Sequence, residues 1–243
     1  MPTAIVTGGA IRIGREMALH LAHKGFDIAL LYHSSGTTSE ETIQEIRLQG
    51  VQCRGYAGDL RKLDEAESVI GKVLQDFKNV ELLINSAANF IQENIEQTQL
   101  ETLVDTLNLN LMAPYLLMRE YKRKVNQGLI VNILDERVAR TVPTFAVYSV
   151  SKVALKHLTE LAAVEWGESV RVNGIAPGFT LSDGVMANPV QLEKLKEISL
   201  QARVIQRDQV PSDLVGAAVY FASADSAFVT GQTLVVDGGA YFH

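Results

Sequence analysis

The sequence predicts an α/β fold: one doubly wound domain with a seven-stranded parallel sheet between helical layers. Three observations lead there. Short apolar runs alternate with longer helical patterns from end to end. The runs are rich in β-branched residues and lack polar alternation, as strands covered on both faces require. The first run also passes through a glycine-containing turn straight into a helical pattern. With 243 residues and 47% hydrophobic content, the chain can bury one full core of this kind. No Pro/Gly/Ser-rich linker or charge run divides it, so residues 1–243 read as a single domain.

Ala4–Thr7, Asp27–Tyr32, Val51–Ala57, Val80–Asn85, Gly128–Leu134, Val170–Ala176 and Thr233–Val236 are the expected strands. Helices are expected at Ile13–His23, Glu40–Leu48, Leu63–Phe77, Thr98–Lys124, Val147–Trp166 and Ser212–Ala222. Right-handed crossovers between successive β-α-β units make the sheet parallel. Residues 179–210 break the alternation and are rich in polar residues and Met. They read as a substrate-covering flap or as a plain surface excursion.

A net charge of −6 argues against a nucleic-acid partner, which calls for a basic stripe. The single cysteine, Cys53, excludes an internal disulfide framework and a thiolate metal cluster, so no metal site is expected. No apolar run approaches the ~20 residues of a membrane span, and the first strand begins almost at the initiator Met. A soluble, cytoplasmic protein without a membrane partner is expected.

The turn after the first strand reads Thr7-Gly-Gly-Ala-Ile-Arg-Ile-Gly14. Gly8 and Gly14 permit a tight turn and close approach of backbone to ligand. The helix beyond directs free N–H groups and its positive dipole end at a phosphate, the arrangement by which a doubly wound sheet binds a dinucleotide. NAD-type sites place an acid on the ribose about 20 residues beyond the glycines. That count lands on Ser34, within Tyr32-His33-Ser34-Ser35, where there is no carboxylate. A 2′-phosphate is tolerated there, with His33 and the hydroxyls as donors, so NADPH is expected over NADH. Asp59, in Gly58-Asp59-Leu60, is placed either to accept from the adenine amino group or to cap a helix. Asn85-Ser86-Ala87 ends the fourth strand in small residues that let backbone lie against the nucleoside, or form an ordinary strand-end turn.

Tyr148 and Lys152 are four residues apart, one helical turn, so phenol and ammonium share a face. A free tyrosine titrates at about 10. A fixed cation beside it favours the phenolate and draws that value toward the working range. The pair reads as an acid/base device.

Taken together, these residues resemble the short-chain dehydrogenase/reductase family over essentially the whole chain. The resemblance rests on Thr7-Gly8…Gly14, Asp59, Asn85-Ser-Ala, Asn110, Tyr148…Lys152, Asn173-Gly-Ile-Ala-Pro-Gly178 and Thr230-Gly-Gln…Val236-Asp-Gly-Gly239. It implies a Rossmann domain binding NADP(H), with Tyr148 as proton donor. It implies that Lys152 binds the nicotinamide ribose and lowers the tyrosine pKa, and that Asn110 holds a proton-relay water at a helix kink. Arg12, Ile13, Tyr32, Leu60, Pro177, Gly178 and Thr180 fall at cofactor-contacting positions of the same pattern. Assembly as a homotetramer through the helices at Thr98–Lys124 and Val147–Trp166 is implied as well.

Four departures are similar to the pteridine reductases within that family: Arg12 for the middle glycine of the turn, Tyr32-His33 after strand two, Phe90, and Asp135 thirteen residues before Tyr148 where serine is usual. The implied substrate is a pterin or folate. Phe90 would stack on the ring, Arg12 would bridge cofactor phosphates and the pterin edge, and Asp135 with Tyr148 would stand at the ring nitrogen. An ionised carboxylate would repel a developing alkoxide, which favours a C=N acceptor over a ketone. The expected reaction is therefore hydride transfer from NADPH to a 7,8-dihydropterin. Reduction of a 3-oxoacyl thioester or another carbonyl is the alternative, and a non-catalytic NADPH-binding regulator is a third possibility.

Overall fold

Alternate residues of each central strand face opposite helical layers, which is why the runs show no polar alternation. In β1 (Thr3–Thr7), Ala4 and Val6 belong to one apolar cluster and Ile5 to the other. Ile28 and Leu30 against Ala29 and Leu31 repeat this in β2 (Asp27–Tyr32), as do Leu82 and Ile84 against Leu83 in β4 (Val80–Asn85). In this computed structural model the described residues are 1–33, 36–181 and 189–241, without the side chain of Gln191. Ser34 and positions 182–188 of the expected flap lie outside them.

The remaining strands are β3 (Cys53–Ala57), β5 (Gly128–Ile133), β6 (Val170–Pro177) and β7 (Thr233–Val236). Together they form one parallel seven-stranded sheet, as the sequence predicts, and its order is β3-β2-β1-β4-β5-β6-β7. Helices α1 (Arg12–His23), α2 (Gly36–Arg47) and α8 (Val215–Ala222) supply residues to the first cluster. Helices α3 (Leu63–Asp76), α5 (Ala113–Lys124) and α6 (Ala146–Trp166) supply the second. Strand order reverses between β1 and β4, and the crevice beyond their carboxyl ends is where such sheets bind ligands.

Two expectations are corrected. The helix expected over Thr98–Lys124 is divided into α4 (Leu100–Leu107), a π turn at Asn108–Met112, and α5. Pro114 has no N–H to give the carbonyl four residues back, that of Asn110, and the wider turn absorbs the misfit. In the flap, where no element was expected, α7 (Pro189–Ala202) forms with Pro189 at its start, a position that suits the fixed φ of proline. Smaller differences are one or two residues at strand ends, such as β3 starting at Cys53 rather than Val51, the start of α2 at Gly36 rather than Glu40, and a 3-10 turn at Pro211–Leu214 where the helix expected over Ser212–Ala222 begins.

Candidate active site

The turn after β1 is shaped by contacts that only glycine survives. A Cβ on Gly14 would lie 2.4 Å from the Gly8 carbonyl oxygen, and Gly8 itself has φ 64°. A Cβ on Gly8 would also come within 3.0 Å of the Ala87 Cα. Thr7 Oγ1 accepts from the Ser86 and Ala87 amides, 2.9 Å each, and so ties the end of β1 to the end of β4. The first residue before α1, Ile11, provides no side-chain cap, and the first turn carries no acid. Its leading N–H groups and the positive end of its dipole therefore face the crevice, where a phosphate fits.

Arg12 occupies this turn with φ 52°, a left-handed conformation that favours glycine and costs an arginine roughly 1–2 kcal/mol. Its half-buried guanidinium has a pKa lowered by burial.

A cavity of about 760 Å³ runs from this turn to the carboxyl end of β5. Gly8, Arg12, Ile13 and Gly14 line its phosphate end, and Tyr32, His33, Asp59 and Leu60 its nucleoside end. Ser86, Ala87 and Phe90 form one wall, and Pro177, Gly178 and Thr180 another. Asp135, Tyr148 and Lys152 stand together at the far end. The sequence-derived set thus converges on one cavity, with two exceptions among the described residues.

Asn85 is the first. Its side chain turns into the sheet and donates to Asn132 Oδ1 at 2.8 Å, while Asn132 donates to Thr159 Oγ1 at 2.8 Å. It braces β4 against β5 and α6 and does not line the cavity. Asn110 is the second. It is fully buried; its Oδ1 accepts from the Asn89 amide (3.0 Å), and its Nδ2 donates to the Asn89 carbonyl and Ser151 Oγ, both at 3.2 Å. The amide clamps the loop that carries Phe90 to α6. The kink expected at Asn110 is present as the π turn, but its side chain is committed to this clamp.

Asp59 is held by Arg61, whose Nη2 lies 2.9 Å from Asp59 Oδ2, and this pairing brings its pKa down to about 2. His33 Nε2 approaches the same oxygen at 3.7 Å. The nucleoside end therefore presents Asp59 as an ionised, positioned acceptor.

At the other end, the Tyr148 hydroxyl donates to Asp135 Oδ2 at 2.9 Å. Arg137 Nη1 clamps both Asp135 oxygens at 2.9 and 3.0 Å, and the Arg137 amide adds a third bond to Oδ1 at 2.9 Å. Arg137 was not anticipated from the sequence. It is buried, with its guanidinium 4.5 Å from the Phe145 ring centroid and 5.3 Å from that of Phe90. Phe90 stacks on Phe145 at 4.6 Å and meets Tyr148 edge-on at 4.9 Å. Among the described residues Arg137 Nε has no hydrogen-bond partner, a cost of about 1–3 kcal/mol that ring contacts offset only in part. The signal that could have found it is Asp-x-Arg: a side chain two residues on can fold back over an acid that caps its own short turn.

The electrostatics differ from expectation. Burial first, then the Asp135 charge, raises the Tyr148 pKa well above the ordinary value instead of lowering it. Lys152 Nζ donates to the Ile133 carbonyl at 2.7 Å and lies 5.7 Å from the Tyr148 ring centroid, and its own pKa falls to about 8 through burial. The phenol is thus kept protonated and hydrogen-bonded, as a proton donor must be.

The model of the enoyl-(acyl carrier protein) reductase family matches residues 9–241. The chain belongs to the short-chain dehydrogenase/reductase family. An uncharacterized oxidoreductase of Thermotoga maritima is 32% identical over 97% of this chain and 96% of its own. A 3-oxoacyl-[acyl-carrier-protein] reductase of Staphylococcus epidermidis is 29% identical, covering 98% of both. Among solved structures, a metagenomic blue fluorescent protein in complex with NADPH superposes with TM-score 0.92 at 26% identity, over 99% of this chain and 98% of that one. Each matches nearly end to end, so family membership extends over both halves of the cavity. Among the described residues, no helix is long and apolar enough to cross a membrane, and no group of metal-ligating side chains gathers.

Proposed function

We propose that this chain is an NADPH-dependent reductase that acts on a polarised double bond, with Tyr148 as the proton donor. One observation carries the reading: a buried, protonated phenol held 2.9 Å from Asp135 in the same cavity as a glycine turn and an uncapped helix N-terminus. NADPH, when bound, supplies the hydride. The N–H groups at the start of α1 and Arg12 would hold its phosphates, His33 would stand near the 2′ position, and Asp59 with Leu60 would receive the adenine. Lys152 would hold the ribose beside the nicotinamide. Tyr148 gives its proton to the heteroatom end as a C–H bond forms at carbon; the Tyr148 O–H bond breaks, and the product leaves as an alcohol or amine. The Lys152 ammonium stabilises the tyrosinate until solvent restores the proton.

The acceptor we place first is a carbonyl of the 3-oxoacyl-thioester type. The expectation of a C=N acceptor rested on repulsion between Asp135 and an alkoxide. Arg137 clamps both Asp135 oxygens, so the pair brings no net charge to the reacting bond and that objection loses its force. Relatives named for 3-oxoacyl reduction support the same class. A pterin remains the second reading, favoured because Arg12, Phe90 and Asp135 all line one cavity. Exposed Val150, Val153, Leu161 and Val164 along one face of α6 support the further proposal of a homo-oligomer, a tetramer, built through that helix.

The test is NADPH consumption with acetoacetyl thioester against a 7,8-dihydropterin. The thioester is expected to give the higher kcat/KM by ~10²-fold or more. The reverse preference moves the assignment to the pterin, and inertness toward a broad carbonyl and imine panel sinks the reductase reading.

A further inference from the structure

The geometry points to Arg137 as a positioning residue: it is the fixed counter-ion that lets a carboxylate, Asp135, hold the Tyr148 hydroxyl without leaving net negative charge beside the reacting bond. This rests on the assignment of Tyr148 as proton donor.

The 3-10 turn Glu136–Val138 follows β5 directly, and Asp135 caps it. That brings the Arg137 side chain back over the acid two residues earlier. The aromatic pair Phe90 and Phe145 then fixes the guanidinium in place. Arg137 and Asp135 are both buried, so neither charge has solvent to fall back on, and each depends on the other. Among the described residues the carboxylate has four hydrogen bonds: three come from Arg137 and the fourth from Tyr148. Other charged groups around it are Lys152 on α6, turned to the Ile133 carbonyl, and Glu136, which is paired with Arg140. Lys152 and Glu136 are thus engaged elsewhere, and among the described residues Arg137 is the ion-pair partner of Asp135.

Without Arg137, the buried Asp135 carboxylate would have no counter-ion, and a buried charge left unpaired is neutralised by taking up a proton. A protonated carboxyl would then donate to the Tyr148 oxygen rather than accept from it. Tyr148 would lose its oriented hydrogen bond, and turnover would fall.

The experiment compares Arg137→Met, Arg137→Lys, Asp135→Asn and the double variant Asp135→Asn/Arg137→Met. kcat and KM are followed against pH for each, and infrared spectra of the protein without cofactor are recorded. Arg137→Met should lower kcat at neutral pH by ~10²-fold with KM nearly constant, as for an interaction made in the transition state. Its acid limb should move to higher pH, and a carboxylic-acid C=O band absent from wild type should appear. Arg137→Lys should keep the wild-type pH profile. In the Asp135→Asn background there is no charge to balance, so adding Arg137→Met should cost nothing further.

An unshifted profile with no acid band in Arg137→Met overturns the proposal. So does a further tenfold loss when Arg137→Met is added to Asp135→Asn, and that comparison still decides if Arg137→Met alone fails to fold. Tyr148→Phe, run alongside, reports on the donor assignment separately: full activity there removes the donor but leaves the infrared result on the ion pair intact.

Discussion

At the phosphate end of the cavity the walls are backbone, and at the proton-donor end they are side chains. Gly8, Gly14 and the start of α1 leave no room for alternatives, because an added Cβ on Gly14 meets a carbonyl oxygen at 2.4 Å. Asp135, Arg137, Tyr148 and Phe145 instead form a network of charge and ring contacts that other side chains could have built in other ways. Cofactor shape constrains the first region, so its chemistry follows from the fold. Acceptor choice is left to the second.

The comparison predicts unequal responses to substitution. Gly14→Ala should be the most severe at the phosphate end. With 2.4 Å to the Gly8 carbonyl the turn must shift by about 1 Å, a displacement that can cost ~10²-fold. Fluorescence titration with NADPH checks this, and unchanged affinity would show that the turn is more compliant than its contacts suggest.

Arg12→Gly is the next largest, and it separates folding from binding. Relief of the left-handed φ of 52° should raise stability by roughly 1 kcal/mol in denaturant melts. NADPH affinity should fall ~10-fold with the loss of the guanidinium. Loss of stability instead would make Arg12 a structural residue.

The proton-donor end should show itself in pH. Lys152 titrates at about 8 because burial disfavours its ammonium. Activity that needs the charged form is therefore present below that value and lost as pH rises through it. The alkaline limb should move upward in Lys152→Arg, which stays charged. A limb that stays in place assigns it to another group.

The smallest effect is expected from His33→Ala, an exposed side chain at the nucleoside end. It should reduce discrimination between NADPH and NADH by less than ~10-fold, since exposed ionic contacts are weak. Comparison of kcat/KM for the two cofactors gives the ratio.

The contrast between the two ends also explains what could be read from the chain. The seven parallel strands, the glycine turn and the Tyr148/Lys152 face follow from local spacing, and all seven strands lie where the apolar runs place them. Asn85 was expected against the nucleoside and Asn110 at a proton-relay water, but which way a buried amide turns depends on Asn132, Ser151 and Asn89, partners distant in sequence. The break at Asn108–Met112 is marked in the chain by Pro114 and was implied at Asn110 by the family resemblance, while the continuous amphipathic pattern gave one unbroken helix across it. Arg137 escaped because its role needs Phe90 and Phe145, brought together from opposite sides of α4 and α5 in sequence. The direction of the tyrosine shift was missed for a related reason: charge spacing along a helix does not reveal how deeply the phenol is buried.

Rapid mixing of the Tyr148→Phe variant, preloaded with NADPH, against the best acceptor tests the central claim most directly. NADPH should bind within a few-fold of wild type, while its oxidation in the first turnover slows by ~10²-fold or more. A first turnover at the wild-type rate would contradict the account, since proton delivery would then come from elsewhere in the cavity.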